Sequence, residues 1–168
     1  MLASVTAWRA KYFKLKILAC LFYSCRFWQN IFSPYFYTMI LPYLVIAPST
    51  KGGDGGLGVF TTEAFEADTV IEVSPVLVFE KEDRALLEKT KLYNYIFAWG
   101  IDEDLAAVGL GYISMYNHSY HSNCEYEMDY DAGTMTIKTV KPIAKGEEFF
   151  INYNGGADDE TPIWFEVL

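Results

Sequence analysis

Residues 125–139 carry the pattern that most narrows the fold, because two stretches of alternating side chains flank a turn. In residues 125–130 acids alternate with aromatic residues or methionine, and residues 134–139 alternate between more apolar and more polar side chains. Successive side chains of a β-strand point to opposite faces, so a strand alternates with a period of two. Asp131-Ala132-Gly133 between the stretches is typical of a turn. The pattern predicts a β-hairpin with one solvated face and one packed face.

Glycine, proline and acidic residues divide the rest of the chain after the first 42 residues into short apolar segments. Residues 43–46 and 149–153 are apolar runs that predict short strands. Residues 51–58 are rich in glycine and predict a loop or a tight turn. Residues 69–79 predict a pair of strands interrupted at Ser74-Pro75.

One segment has the periodicity of a helix. Residues 84–97 place Leu87, Leu92 and Tyr95 where they could share a buried face. Two acids precede this segment, which suits the positive end of a helix dipole. The sequence therefore predicts a mostly β protein with one helix.

Charge is distributed unevenly along the 168 residues. The first 38 residues contain five basic and no acidic side chains, which leaves 8 basic against 22 acidic side chains after Thr38. The part after Thr38 therefore has a formal charge of −14, and the part before it has +5. An acidic surface repels phosphate backbones and attracts cationic partners. We expect no direct nucleic-acid binding and a Lys/Arg-rich protein as partner.

Residues 1–42 form a basic and aromatic leader whose composition differs from the rest. Pro34 interrupts its apolar run, whereas a membrane-spanning helix needs about 20 consecutive apolar residues. The leader also lacks the small-residue cleavage site of a signal peptide. Two interpretations stay open: an upstream extension before a working start at Met39, or an interfacial segment that contacts a membrane through residues 1–38.

The three cysteines predict no disulfide framework and no cysteine zinc cluster. Cys20, Cys25 and Cys124 cannot all pair and show no CxxC spacing, which favours a reducing compartment. His118, His121 and Cys124 have a metal-like spacing, but a well-placed fourth ligand is missing. We therefore predict no metal site. A Cys124 nucleophile is also disfavoured, since nucleophile and base in cysteine hydrolases are rarely neighbours in sequence.

Four motifs place polar or flexible residues at the ends of apolar segments. They are Gly56-Leu57-Gly58, Tyr95-Ile96-Phe97, Asn117-His118-Ser119 with Asn123-Cys124, and Gly146-Glu147-Glu148-Phe149-Phe150-Ile151-Asn152-Tyr153. Glycines allow a close approach of the backbone to a ligand. Taken singly, the motifs have common structural explanations, such as a hairpin, a satisfied polar corner or a core tyrosine.

In this order the motifs resemble the SET domain, the fold of protein-lysine methyltransferases. The resemblance covers residues 43–154. The short architecture is similar to that of the compact viral and bacterial members of the family. The resemblance implies a β-clip fold of small sheets with one or two short helices. It also implies a C-terminal pseudoknot, in which the last strand is threaded under the Asn117-His118-Ser119 segment. The implied organisation is a leader (1–42), a SET domain (43–154) and a closing segment (155–168).

The resemblance also implies two sets of site residues. Tyr153 would lie beside the reacting methyl group, Tyr126 would limit how many methyl groups the lysine accepts, and Tyr95 would line the lysine channel. Trp164 would cover the adenine or the channel mouth. The set implied to bind S-adenosylmethionine is Gly56, Leu57, Gly58, Asn117, His118, Tyr153 and Trp164.

The implied function is methyl transfer from S-adenosylmethionine to a lysine of a basic protein, either histone-like or of another kind. The alternative is a catalytically inactive SET-like protein-binding module, with membrane association through its leader left open. A homodimer also stays open. We expect an intracellular protein, cytoplasmic or, in a eukaryote, nuclear, with membrane association left open.

Overall fold

The computed structural model describes residues 38–49, 51, 56–156 and 159–163. The predictions for residues 1–37, with Cys20 and Cys25, and for Trp164 lie outside the described residues. No helix in the described ranges has the length and apolar character needed to cross a membrane.

Short strands dominate the described part of the chain, which confirms the predicted mostly β class. In chain order the strands are β1 (Met39–Ile40), β2 (Leu44–Pro48), β3 (Leu57–Thr61), β4 (Val70–Phe79), β5 (Ile96–Trp99), β6 (Leu105–Gly109), β7 (Asn117–His118), β8 (Cys124–Asp129), β9 (Thr134–Thr139) and β10 (Glu148–Ile151). One sheet has the order β5-β6-β4-β9-β8, with β1 paired to β4, and a second has the order β2-β3-β10-β7.

The predicted hairpin is present as β8 and β9. Tyr126 pairs with Ile137, and the Asp129 side chain accepts a hydrogen bond from the Ala132 amide in the turn. One face of β9 is fully buried, while Lys138 on the other face makes a 2.7 Å ion pair with Glu125. The buried side chains on that face are Met135, Ile137 and Thr139.

The predicted break at Ser74-Pro75 is wrong, because β4 is one strand of ten residues. Its first half pairs with β9 up to Pro75, and its second half pairs with β6 from Val76 onward. Proline lacks the N–H that a continuous strand ladder needs. Pro75 lies where β4 changes partner, so the missing donor does not interrupt a ladder.

The predicted helix over residues 84–97 is wrong in its extent. The chain forms helix α1 over Lys81–Leu87, a 3₁₀ helix over Lys91–Tyr95, and then β5. The Thr90 hydroxyl accepts a hydrogen bond from the Leu92 amide and caps the second helix. The β-branched and aromatic residues of β5 pair with β6, and this pairing overrides a continued helix. Leu92 and Tyr95 are exposed rather than buried.

The second sheet contains the predicted crossing of the C-terminal strand. β10 pairs in parallel with β7, with Phe150 opposite Asn117. At the other end of residues 117–123, the Asn123 side chain also binds β10. It donates to the Glu148 carbonyl and accepts from the Phe150 amide. Both ends of residues 117–123 therefore contact β10, as expected for the predicted pseudoknot. The core between the sheets contains Val59, Ile71, Ile113, Tyr116, Cys124, Phe149 and Ile151.

Candidate active site

A cleft of about 700 Å³ opens beside the crossing of β7 and β10, and aromatic side chains line much of it. Burial in such a site lowers the local dielectric and strengthens each polar contact. The aromatic lining consists of Tyr93, Tyr95, Phe97, Tyr116, Tyr126, Tyr130 and Tyr153.

The three tyrosines predicted as catalytic come from separate elements and meet in this cleft. Tyr95 ends the 3₁₀ helix, Tyr126 lies on β8, and Tyr153 follows β10 by two residues. The Phe97 ring packs edge-on against Tyr126, with ring centroids 5.6 Å apart, and supports it from β5. The Tyr126 hydroxyl donates to the Tyr153 carbonyl at 3.3 Å.

Tyr153 is anchored at both its backbone and its hydroxyl. Its amide donates to His118 Nδ1 at 3.1 Å, and its Oη donates to the Tyr116 carbonyl at 3.0 Å. Burial, with a smaller contribution from nearby Tyr95, raises the pKa of Tyr153 to about 12. The hydroxyl therefore keeps its proton at neutral pH. Burial also lowers the pKa of His118, which favours the neutral imidazole that can accept at Nδ1.

A second group of predicted residues meets at the start of β3. The Asn117 side-chain nitrogen donates to the Leu57 carbonyl at 3.0 Å and to Glu148 Oε1 at 2.7 Å. The other Glu148 oxygen accepts from the Ser49 hydroxyl at 2.8 Å. A side chain at position 58 would overlap the Glu148 carboxylate, so this position requires glycine. Any ligand contact at Gly58 would be made by its backbone. Gly56 directly precedes β3.

Sequence reasoning missed Glu148 and Glu72, two buried carboxylates that support these groups. Glu72 is fully buried and accepts hydrogen bonds from Ser74 Oγ, the Tyr112 amide and the Tyr116 hydroxyl. Burial raises the pKa of Glu72, against the lowering effect of those hydrogen bonds. An acid inside an apolar run was the available signal for Glu72. No local signal identified its partners.

Cys124 does not have the surroundings of a nucleophile. Its side chain is fully buried, and burial raises the pKa of the thiol. A reactive cysteine instead needs a lowered pKa and some exposure. Across the described ranges, no group of three or more His, Cys, Asp or Glu side chains is arranged to hold a metal ion.

The described part of the predicted closing segment packs beside the end of β10. Asn152 donates to the Asp159 carbonyl at 2.7 Å, and Asn154 donates to the Thr161 carbonyl at 2.7 Å. These bonds hold residues 159–163 next to the segment that carries Tyr153.

Comparison with known proteins identifies relatives of this chain. The profile of the SET domain family matches residues 56–154. A curated relative from Schizosaccharomyces pombe, named histone-lysine N-methyltransferase, H3 lysine-37 specific, is 36% identical over 112 residues. The match covers 66% of this chain and 71% of the relative.

Solved structures show the same fold. A Plasmodium falciparum protein described as a candidate histone methyltransferase is 27% identical, with a TM-score of 0.51, covering 68% of this chain and 95% of that chain. A chain of the Chaetomium thermophilum polycomb repressive complex 2, bound to S-adenosylmethionine, is 20% identical with a TM-score of 0.55. The match covers 66% of this chain and 15% of that chain, and because the identity is only 20% it bears on the fold alone. Since the family profile matches more than half of its length, the chain belongs to the SET domain family.

Proposed function

We propose that the aromatic cleft takes up the lysine side chain of a basic protein and that Tyr153 aligns it for methylation. The chain is a protein-lysine N-methyltransferase that uses S-adenosylmethionine. One observation carries the assignment of the site. Tyr95, Tyr126 and Tyr153, which come from three separate elements, line one cleft.

The residues around Asn117 fit the amino-acid part of the cofactor. Gly56, Leu57 and Gly58 would offer backbone groups, and Asn117 would offer a side chain that the network already orients. His118 and Tyr153 would complete this set from the β7 and β10 side. Trp164, the seventh residue of the predicted set, lies outside the described residues. When bound, S-adenosylmethionine supplies an electrophilic methyl group on a sulfonium.

The cleft suits the chemistry that a lysine nucleophile needs. A free lysine has a pKa near 10.4, so fewer than about one in a thousand is neutral at pH 7. Desolvation against aromatic rings disfavours the ammonium form and lowers this pKa. After loss of its proton to solvent, the amine lone pair would be free to accept the methyl group, as the bond from that group to the sulfonium sulfur breaks and the sulfur leaves as a neutral thioether. Most of the protein's contribution is then alignment of the reacting atoms.

The Tyr153 hydroxyl has the properties of a positioning group rather than a base. Its pKa of about 12 keeps it protonated, and its hydrogen bond to the Tyr116 carbonyl fixes its direction. The hydroxyl oxygen can still accept a hydrogen bond from the lysine nitrogen. We expect activity to rise with pH through deprotonation of the substrate lysine, since Tyr153 does not ionise in the working range.

The excess of acidic side chains after Thr38 favours a basic protein as substrate. After Thr38 the chain has 22 acidic against 8 basic side chains, which raises the encounter rate with a Lys/Arg-rich tail. The S. pombe relative is named for a lysine of histone H3. We therefore propose a histone tail as the first substrate class to test. An intracellular, and in a eukaryote nuclear, location belongs to the same proposal, and imaging of a tagged chain tests it.

Calorimetric titration of the full chain with S-adenosylmethionine tests the cofactor site. We expect saturable binding. Asn117→Ala should weaken it about tenfold, because the charged amino-acid part of the cofactor would lose its hydrogen bond to the Asn117 side chain. Asn94→Ala is the matched control, since it removes an exposed amide of the cleft lining and should leave the affinity unchanged. Absence of binding by the unmodified chain would contradict the proposed function and would favour an inactive binding module.

Tyr126→Phe is expected to increase the number of methyl groups added to one lysine. The Tyr126 hydroxyl donates to the Tyr153 carbonyl, so its removal frees space and one polar contact inside the cleft. Mass spectrometry of the methylated peptide measures the ratio of mono-, di- and trimethyllysine. Tyr130→Phe is the control, because Tyr130 lines the same cleft but is exposed. An unchanged ratio in Tyr126→Phe would remove Tyr126 from this role.

A further inference from the structure

The aromatic cleft has a charged rim on its solvent-facing side, formed by Arg84, Glu88 and Glu103. Arg84 Nε donates to Glu88 Oε1 at 2.9 Å, so the charges of these two side chains offset each other. The Glu103 carboxylate has no hydrogen-bond or ion-pair partner among the residues that the structure describes. Within that part of the chain, the rim therefore presents one uncompensated carboxylate.

Backbone contacts hold Glu103 in the turn between β5 and β6. Its φ of 54° lies in the left-handed region, which residues other than glycine rarely adopt. The Glu103 amide donates to the Gly100 carbonyl at 3.1 Å, and the Glu103 carbonyl accepts from Arg84 Nη1. Arg84 Nη1 also donates to the Leu105 carbonyl at 3.0 Å. These contacts fix the backbone of the turn and leave the Glu103 carboxylate available to a ligand.

The charge of Glu103 also acts inside the cleft. Burial is the main cause that raises the pKa of Tyr126, and the negative charge of Glu103 raises it further. Tyr126 and Tyr153 line the same cleft and are joined by a hydrogen bond of 3.3 Å. A cationic side chain close to a lysine bound between these tyrosines would therefore be attracted to Glu103.

The reacting lysine is itself a poor partner for this carboxylate. A neighbouring negative charge favours the ammonium form and raises the lysine pKa, whereas methylation needs the neutral amine. Arginine keeps its charge in proteins, and its planar guanidinium can form two parallel hydrogen bonds to one carboxylate. An extended chain advances about 3.3 Å per residue, so an arginine one or two positions from the lysine remains within reach of the rim.

We propose that Glu103 is a specificity-determining residue that binds an arginine one or two positions from the target lysine. The proposal rests on the proposed function. It narrows the substrate class from basic proteins to proteins in which an arginine closely precedes or follows the methylated lysine. Glu103 contacts the substrate away from the reacting atoms, so it determines which lysine is chosen.

Pairs of synthetic peptides, each with one lysine in an uncharged background, test this proposal. The two members of a pair carry either arginine or citrulline, an uncharged analogue of similar shape, at one of the two positions on either side of the lysine. With the full chain and S-adenosylmethionine, we expect kcat/KM to be about fivefold higher for the arginine member at one or more positions, the upper end for a solvent-exposed ion pair. Glu103→Gln should bring this ratio close to one, and Glu103→Lys should bring it below one.

Asp102→Asn is the matched control, because it removes an exposed acid of the same turn that lies outside the described cleft lining. This variant should keep the arginine preference. A preference retained in Glu103→Gln would overturn the proposal, as would an equal loss with both members of a pair, which would mean that Glu103 acts on the reacting lysine. Methylation of both members at equal rates by the unmodified chain would overturn the proposal and leave the proposed function intact, whereas methylation of none of the peptides would contradict both.

Discussion

Tyr153→Phe is expected to reduce turnover about 100-fold while the affinity for S-adenosylmethionine changes less than about twofold. Loss of one preorganised polar group in an active site costs a rate factor on this order. The hydroxyl is held by the Tyr116 carbonyl at 3.0 Å and faces the cleft, so phenylalanine removes a fixed contact without changing the ring. Single-turnover methylation of a lysine peptide measures the rate, and calorimetry measures the affinity.

Two controls make the Tyr153 result specific. Tyr43→Phe removes a hydroxyl from an exposed tyrosine that does not line the cleft, and it should leave turnover unchanged. The pH dependence of Tyr153→Phe should keep the shape of the unmodified enzyme, because the Tyr153 pKa of about 12 lies above the working range. Equal turnover in Tyr153→Phe and the unmodified chain would remove Tyr153 from the mechanism.

Glu72→Ala is expected to lower the free energy of unfolding by about 3 kcal/mol, since a buried donor left without its partner costs about 1–3 kcal/mol. The substitution leaves the Tyr112 amide and the Tyr116 hydroxyl without the carboxylate that accepts from them. Tyr116 also supplies the carbonyl that accepts from the Tyr153 hydroxyl. Urea denaturation followed by tyrosine and tryptophan fluorescence measures the change.

Matched acids test the cause of this loss. Glu127→Ala removes an exposed acid from β8 and should change stability by less than about 0.5 kcal/mol. Glu72→Gln keeps an acceptor without the buried charge, so it should lose less stability than Glu72→Ala. A Glu72→Ala protein as stable as the Glu127→Ala protein would mean that these hydrogen bonds contribute little to folding.

The fold class and the hairpin were accessible from the sequence because both are written in local periodicity. Alternation over residues 125–139 is enough to predict β8 and β9, since each side chain faces one side of its own strand. The predicted helix over residues 84–97 failed for the opposite reason. Pairing of β5 with β6 decides that segment, and β6 lies further along the chain. The continuity of β4 likewise depends on two different partner strands.

The sequence by itself determined the family, the mostly β class and the motifs that carry Tyr95, Asn117 and Tyr153, because these features are contiguous runs of residues. Only the tertiary structure decided that the predicted tyrosines share one cleft, that Glu72 holds Tyr116 in its lining and that Glu148 holds Asn117. The two oxygens of Glu148 are bound by residues 31 and 99 positions away along the chain. A buried carboxylate is stabilised by donors brought to it when the chain folds, and no local pattern records which donors those are.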